Sequence, residues 1–215
     1  MRSPVPGAAA TVSSTGVVTP RPVRPPMPRV QSKGLSLRAG DQLVLALVLG
    51  AASLAVHHTT AQRVMGASLA VVLVIATASD LKSRKIPNRL TAPAALWALV
   101  LGAILHPSGL GDQAVAGLAA GGFLYIFAVI YPKGLGMGDV KLAFVIGLYL
   151  SSSAAVAMGI GLIASALAGV VVLVTRGVKE GRKVGLPLAP FLAVGGVVAI
   201  IFGPEIVHWY SQSGR

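Results

Sequence analysis

The chain has 215 residues, of which 54% are apolar and 11% charged, where a soluble domain carries roughly 25% charged residues. That composition excludes an ordinary soluble fold and predicts an all-α, polytopic integral membrane helical bundle. The absence of cysteine excludes disulfide frameworks, thiolate metal sites and cysteine nucleophiles. The net charge of +12 lies in a tail and in short loops between apolar runs, a placement that argues against a nucleic-acid partner and for the lipid bilayer.

Residues 1–40 hold half of the prolines and no acid. They cannot bury enough apolar surface to offset chain entropy and read as a disordered, basic cytoplasmic tail. Prolines interrupt every candidate apolar core of a signal peptide. Apolar runs follow at 42–57, 64–80, 91–106, 113–131, 138–150, 154–175 and 187–209. The first forms an additional N-terminal transmembrane helix within 41–60, and the rest a membrane domain over 61–210.

The run at 138–150 is short for a crossing, which needs about 20 residues. Loop charge arbitrates. Basic residues crowd 81–90 (Lys82, Arg84, Lys85, Arg89), 132–141 (Lys133, Lys141) and 176–186 (Arg176, Lys179, Arg182, Lys183), whereas 107–112 and 151–153 have none. This alternation fits about seven crossings with a cytoplasmic N-terminus, and it requires the short run to cross, with 151–153 as its outer turn.

Six acids occur in the chain. Asp41 and Asp112 read as helix-start caps, and Glu180 as a solvated loop residue. Asp80 ends the apolar stretch "AVVLVIATASD", and Asp139, in "GMGDVKL", opens a helix running the other way. The topology puts both at one cytoplasmic boundary. Ionisable groups at membrane depth are costly and point to function. Gly134, Gly136 and Gly138 make a side-chain-poor approach to Asp139. After Asp80, "LKSRKIPN" ends in Pro87, which stops a helix, and Asn88, which can cap the next.

Two close carboxylates share a proton and titrate as a coupled pair. The ionised member can take a proton from water while the protonated one polarises a peptide carbonyl, which is the chemistry of aspartic proteolysis. Lys141 can tune Asp139 or snorkel to the interface.

"DLKSRKIPN" (80–88), "GMGDVKL" (136–142) and "GLPLAPFLAVGG" (185–196) together resemble the type IV prepilin peptidases, which are GxGD aspartic intramembrane proteases. The resemblance implies Asp80 and Asp139 as the catalytic pair and Gly136 and Gly138 as the motif glycines. Pro87, Asn88 and Lys141 fall within the same motifs. It implies cleavage of leader peptides from prepilin-like precursors at the cytoplasmic face of the bacterial inner membrane, with no metal and no organic cofactor. Many family members also carry a methyltransferase region with a cysteine tetrad. The lack of cysteine matches a short, stand-alone form, such as those of Flp/Tad-type or pseudopilin systems.

The rival from another class is a small proton- or ion-coupled transporter built on the paired aspartates. It predicts acids near mid-membrane, with broken helices there. A catalytically silent prepilin-binding member is a second alternative. "GAS" at 66–68 reads as helix packing rather than a serine nucleophile, and no HExxH is present. His57, His58 and His106 fall on the outer side. His208, beside Trp209 and Tyr210, fits an aromatic belt.

Overall fold

The computed structural model describes residues 59–131, 134–177 and 187–213. The expected tail, nearly all of the first span and most of the 176–186 loop lie outside the described residues. So do Asp41, His57, His58, Lys133 and Glu180.

Six α-helices make up the described part: α1 (Thr60–Ser83), α2 (Asn88–Leu105), α3 (Leu110–Ile130), α4 (Met137–Leu150), α5 (Ala154–Arg176) and α6 (Ala189–Ser213), with short 3-10 turns at Pro107–Gly109 and Ser151–Ser153. There is no strand among the described residues. Five stretches are long and apolar enough to cross a membrane: Thr60–Ser83, Asn88–Leu105, Pro107–Ile130, Met137–Thr175 and Ala189–Ser213. The fourth comprises both α4 and α5, parted at Ser151, where φ is 48°.

Side-chain contacts fix the directions. Gly117 faces Leu148 and Gly121 faces Phe144, so α3 and α4 run antiparallel. Gly195 meets Ala157 and Gly203 meets Ser153, so α5 and α6 do the same. Asp80, Asn88, Asp139 and Ala189 therefore gather at one end of the bundle. Thr59, His106, Asp112, Ser152, Pro204 and His208 border a cavity of about 600 Å³ at the other. The short helix α4 thus runs from one end to the other, as the loop charges require. At 14 residues it is about 21 Å long at 1.5 Å per residue.

The packing is that of a helical membrane protein, with small residues letting backbones approach. Ala70, Ala76, Ala98, Ala143, Ala157 and Ala189 are fully buried. A side chain at Gly147 would run into the carbonyl of Ala116, so α4 lies directly on the backbone of α3. Between Val140 and Tyr149, α4 is buried almost all round, Phe144 and Lys141 being partly covered. Large apolar side chains point outward instead, Ile104, Ile130 and Val174 among them. That inversion suits lipid rather than water as the surrounding solvent.

Three sequence expectations are corrected at helix ends. α1 does not end at Asp80 but continues to Ser83, where Arg84 turns left-handed (φ 52°) and returns its N–H to the Asp80 carbonyl. The helix is already broken before Pro87, which occupies the cap position of α2, while Asn88 is the first helical residue and caps nothing. Asp112 likewise lies inside the first turn of α3, with Gly109 at the cap. It complements the helix dipole without capping a free N–H.

Candidate active site

The site is built where four helix ends meet. α1 brings Asp80, whose side chain is 6% exposed. It is buried because its face of α1 continues the packed stripe of Leu69, Leu73 and Ala76. α4 brings Asp139 in its first turn, partly buried. The two carboxyl groups lie close enough for the charge of one to act on the other. The aspartates, 59 residues apart in sequence, are thus neighbours in space.

Each carboxylate is held by a backbone N–H. Asp139 Oδ2 accepts from Gly136 N at 3.3 Å, while Asp139 N donates to the Gly136 carbonyl at 3.0 Å. This reciprocal arrangement opens α4 and orients Asp139 back across its own helix start. Asp80 Oδ2 accepts from Ala189 N at 3.3 Å, a buried bond to the first residue of α6. Arg84 also acts on Asp80 electrostatically.

The linker between α1 and α2 is clamped onto α4. Ile86 is buried and lies over Gly138, where an added Cβ would stand 3.1 Å from Ile86 Cβ and 3.3 Å from Ile86 N. Ser79 and Ser83 both donate to the carbonyl of Lys85 and hold the linker from the α1 side. Lys141 Nζ donates to Asn88 Oδ1 at 2.7 Å, joining α4 to the start of α2 across 53 positions. The partner of the lysine is thus Asn88 rather than Asp139. Pro87 stands exposed between these contacts.

Asp80, Asp139, Gly136, Gly138, Asn88, Pro87 and Lys141 are thus brought to one end of the bundle. Sequence reasoning missed Ala189 and Ile86. Ala189 contributes only a backbone N–H, which carries no sequence signal of its own; its flanking prolines, Pro187 and Pro190, were the legible mark of a helix start. Among the described residues no group of three or more His, Cys, Asp or Glu could hold a metal ion.

Fold and site together define a class: a multi-pass helical membrane protein with two neighbouring carboxylates at the meeting point of four helix ends. Residues 67–174 match the model of the type IV leader peptidase family, and the chain belongs to that family. It is 33% identical over 144 residues to the prepilin leader peptidase/N-methyltransferase of Bacillus subtilis (strain 168), covering 65% of this chain and 56% of that protein. It is 26% identical over 147 residues to the protein of the same description from Aeromonas hydrophila, covering 65% and 49%. With the leader peptidase HopD of Escherichia coli it shares 34% identity over 129 residues, covering 55% of this chain and 80% of that protein. The matched region spans about half the length of most of these curated relatives. No solved structure matches the chain.

Proposed function

We propose that the chain is an aspartic endopeptidase that removes the leader peptide from prepilin-like precursors, Flp/Tad pilins and pseudopilins included, at the cytoplasmic face of the bacterial inner membrane. The observation that carries this reading is the gathering of Asp80 and Asp139 at one end of the bundle, near enough for the charge of Asp80 to act on Asp139. Both acids sit at the same end of the bundle rather than midway along its helices, which favours a peptidase over an ion-coupled transporter. Membership of the leader peptidase family favours it as well. In this reading residues 61–210 form the peptidase domain and the N-terminus is cytoplasmic.

The chemistry follows from the pair. One carboxylate takes a proton from water as the water oxygen bonds to the peptide carbonyl carbon. The other, protonated, gives its proton to the carbonyl oxygen. Collapse of the tetrahedral adduct breaks the C–N bond, and a proton passes to the departing amine. The products are a new carboxylate and a new amine, and one water is consumed. A side chain at Gly136 would press on the Asp139 carboxylate and one at Gly138 on Ile86, so the two glycines let α4 start close against the linker with Asp139 unobstructed. Ala189, Asn88 and Lys141 hold the two helix ends in register.

The test is co-expression with pilin-like precursors from the same genome. A precursor that shortens with the wild-type chain and stays full-length with Asp80→Asn and Asp139→Asn supports the proposal. Shortening that persists at the wild-type level in either variant overturns it.

A further inference from the structure

Among the described residues, two buried side-chain oxygens lack a hydrogen-bond partner, Thr77 Oγ1 and Tyr149 OH. Thr77 stands on α1, three residues before Asp80. In a helix a hydroxyl of this kind normally returns to a carbonyl three or four residues back. Ser68, Ser83 and Thr175 do so in this protein, onto Val64, Ser79 and Val171. Thr77 does not. Leaving a buried hydroxyl unpaired is unfavourable, so a hydroxyl with no partner within the protein, three residues from Asp80, calls for one outside it.

The spacing says where that partner belongs. Residues three apart on a helix have Cβ atoms about 5–6 Å from one another and project from the same side. Two polar groups so placed can share one water, which needs two or more such partners to be held. A hydroxyl supplies one donor and two lone pairs, and a carboxylate supplies acceptors. Asp80 has Oδ2 engaged with Ala189, and no hydrogen bond to its other oxygen occurs among the described residues.

We propose that Thr77 is a positioning residue of the hydrolytic site, its hydroxyl holding beside Asp80 the water that is added across the substrate peptide bond. The inference rests on the peptidase reading above. Thr77 itself neither gains nor loses a proton: the water oxygen bonds to the carbonyl carbon, and its proton passes to a carboxylate of the pair.

The test compares wild type, Thr77→Val and Thr77→Ser, purified as the full chain in detergent or nanodiscs, for kcat, KM and melting temperature on a cleaved precursor. Valine has the same shape and lacks only the hydroxyl. Removing an unpaired buried hydroxyl leaves the melting temperature unchanged or raises it, because no bond within the protein is lost. The expected result is a kcat lowered about tenfold or more with KM within about twofold, consistent with an interaction made to the reacting water rather than to bound substrate. Thr77→Ser restores most of the rate.

Full kcat in Thr77→Val overturns the assignment. So does a change confined to KM, which places the hydroxyl on the substrate, and so does a fall in melting temperature that accounts for the lost activity. Cleavage by the wild type that disappears in Asp80→Asn secures the reading beneath. Against that background an active Thr77→Val sinks the Thr77 role alone. A wild-type chain that cleaves no precursor sinks both.

Discussion

Ala189 donates its backbone N–H to Asp80 Oδ2 at 3.3 Å, across 109 positions of sequence, and so fixes the carboxylate against the first residue of the last helix. The bond is buried, and hydrogen bonds to ionised groups are worth about 1.5–3 kcal/mol. Proline is tolerated at the first position of a helix, where its missing N–H disturbs no intrahelical bond. Ala189→Pro should therefore keep α6 and lose the tie to Asp80. Ala189→Val adds comparable bulk and keeps the N–H. The expected outcome is cleavage in Ala189→Pro about tenfold or more below that in Ala189→Val, measured as initial rates on a prepilin-like precursor. Equal rates would assign the effect to bulk alone.

Gly138 is required for the space it leaves under Ile86. A Cβ there would stand 3.1–3.3 Å from the linker backbone and side chain, tighter than ordinary packing allows. Gly138→Ala should lower cleavage severalfold, and Gly138→Val should come close to abolishing it, because small displacements of catalytic groups are costly. Membrane insertion, followed by protease protection of the loops, should be unchanged in both.

The Lys141–Asn88 bond joins α4, the helix that carries Asp139, to the start of α2, the helix that follows Asp80. If it acts as a brace, its two ends must be coupled. Lys141→Met and Asn88→Ala should each reduce the cleavage rate, and the double variant should be no worse than the poorer single one. A double-mutant cycle on kcat/KM reads this directly. Additive losses would mean that the two residues serve separate purposes.

Gly147 tests packing rather than chemistry. A Cβ there would run into the Ala116 carbonyl and the Gly117 Cα, so any side chain must push α3 and α4 apart. Gly147→Val should destabilise the bundle by about 1–3 kcal/mol, the usual cost of overpacking, seen as a lower melting temperature in detergent. Gly122, which has open space around it, should accept alanine with little change.

Much of this arrangement was legible in the sequence because the bilayer forces the issue. Apolar runs must be helices, and alternating loop charge fixed their direction well enough to require a crossing from α4, although its 14 residues are fewer than a span normally needs. Asp80 and Asp139 stood out because charge at membrane depth is rare. Helix ends were less legible. Arg84, not Pro87, ends α1, since a left-handed residue is a backbone event that no side chain announces. Asn88 reads as a cap from its residue type, yet Lys141 claims its side chain, and a contact across 53 positions leaves no mark in local sequence. The Ala189 N–H was invisible for the same reason.

The central claim is that Asp80 and Asp139 act together on a peptide bond. The most direct measurement incubates the purified full chain, in nanodiscs, with a prepilin-like precursor and determines the mass of both fragments for wild type, Asp80→Asn and Asp139→Asn. General acid–base groups contribute roughly 10²–10⁴-fold each. The account expects one cut at the leader junction with wild type, its rate lowered by at least about a hundredfold in each asparagine variant, with helical content unchanged. A variant of either aspartate that cuts the same bond at the wild-type rate would contradict it.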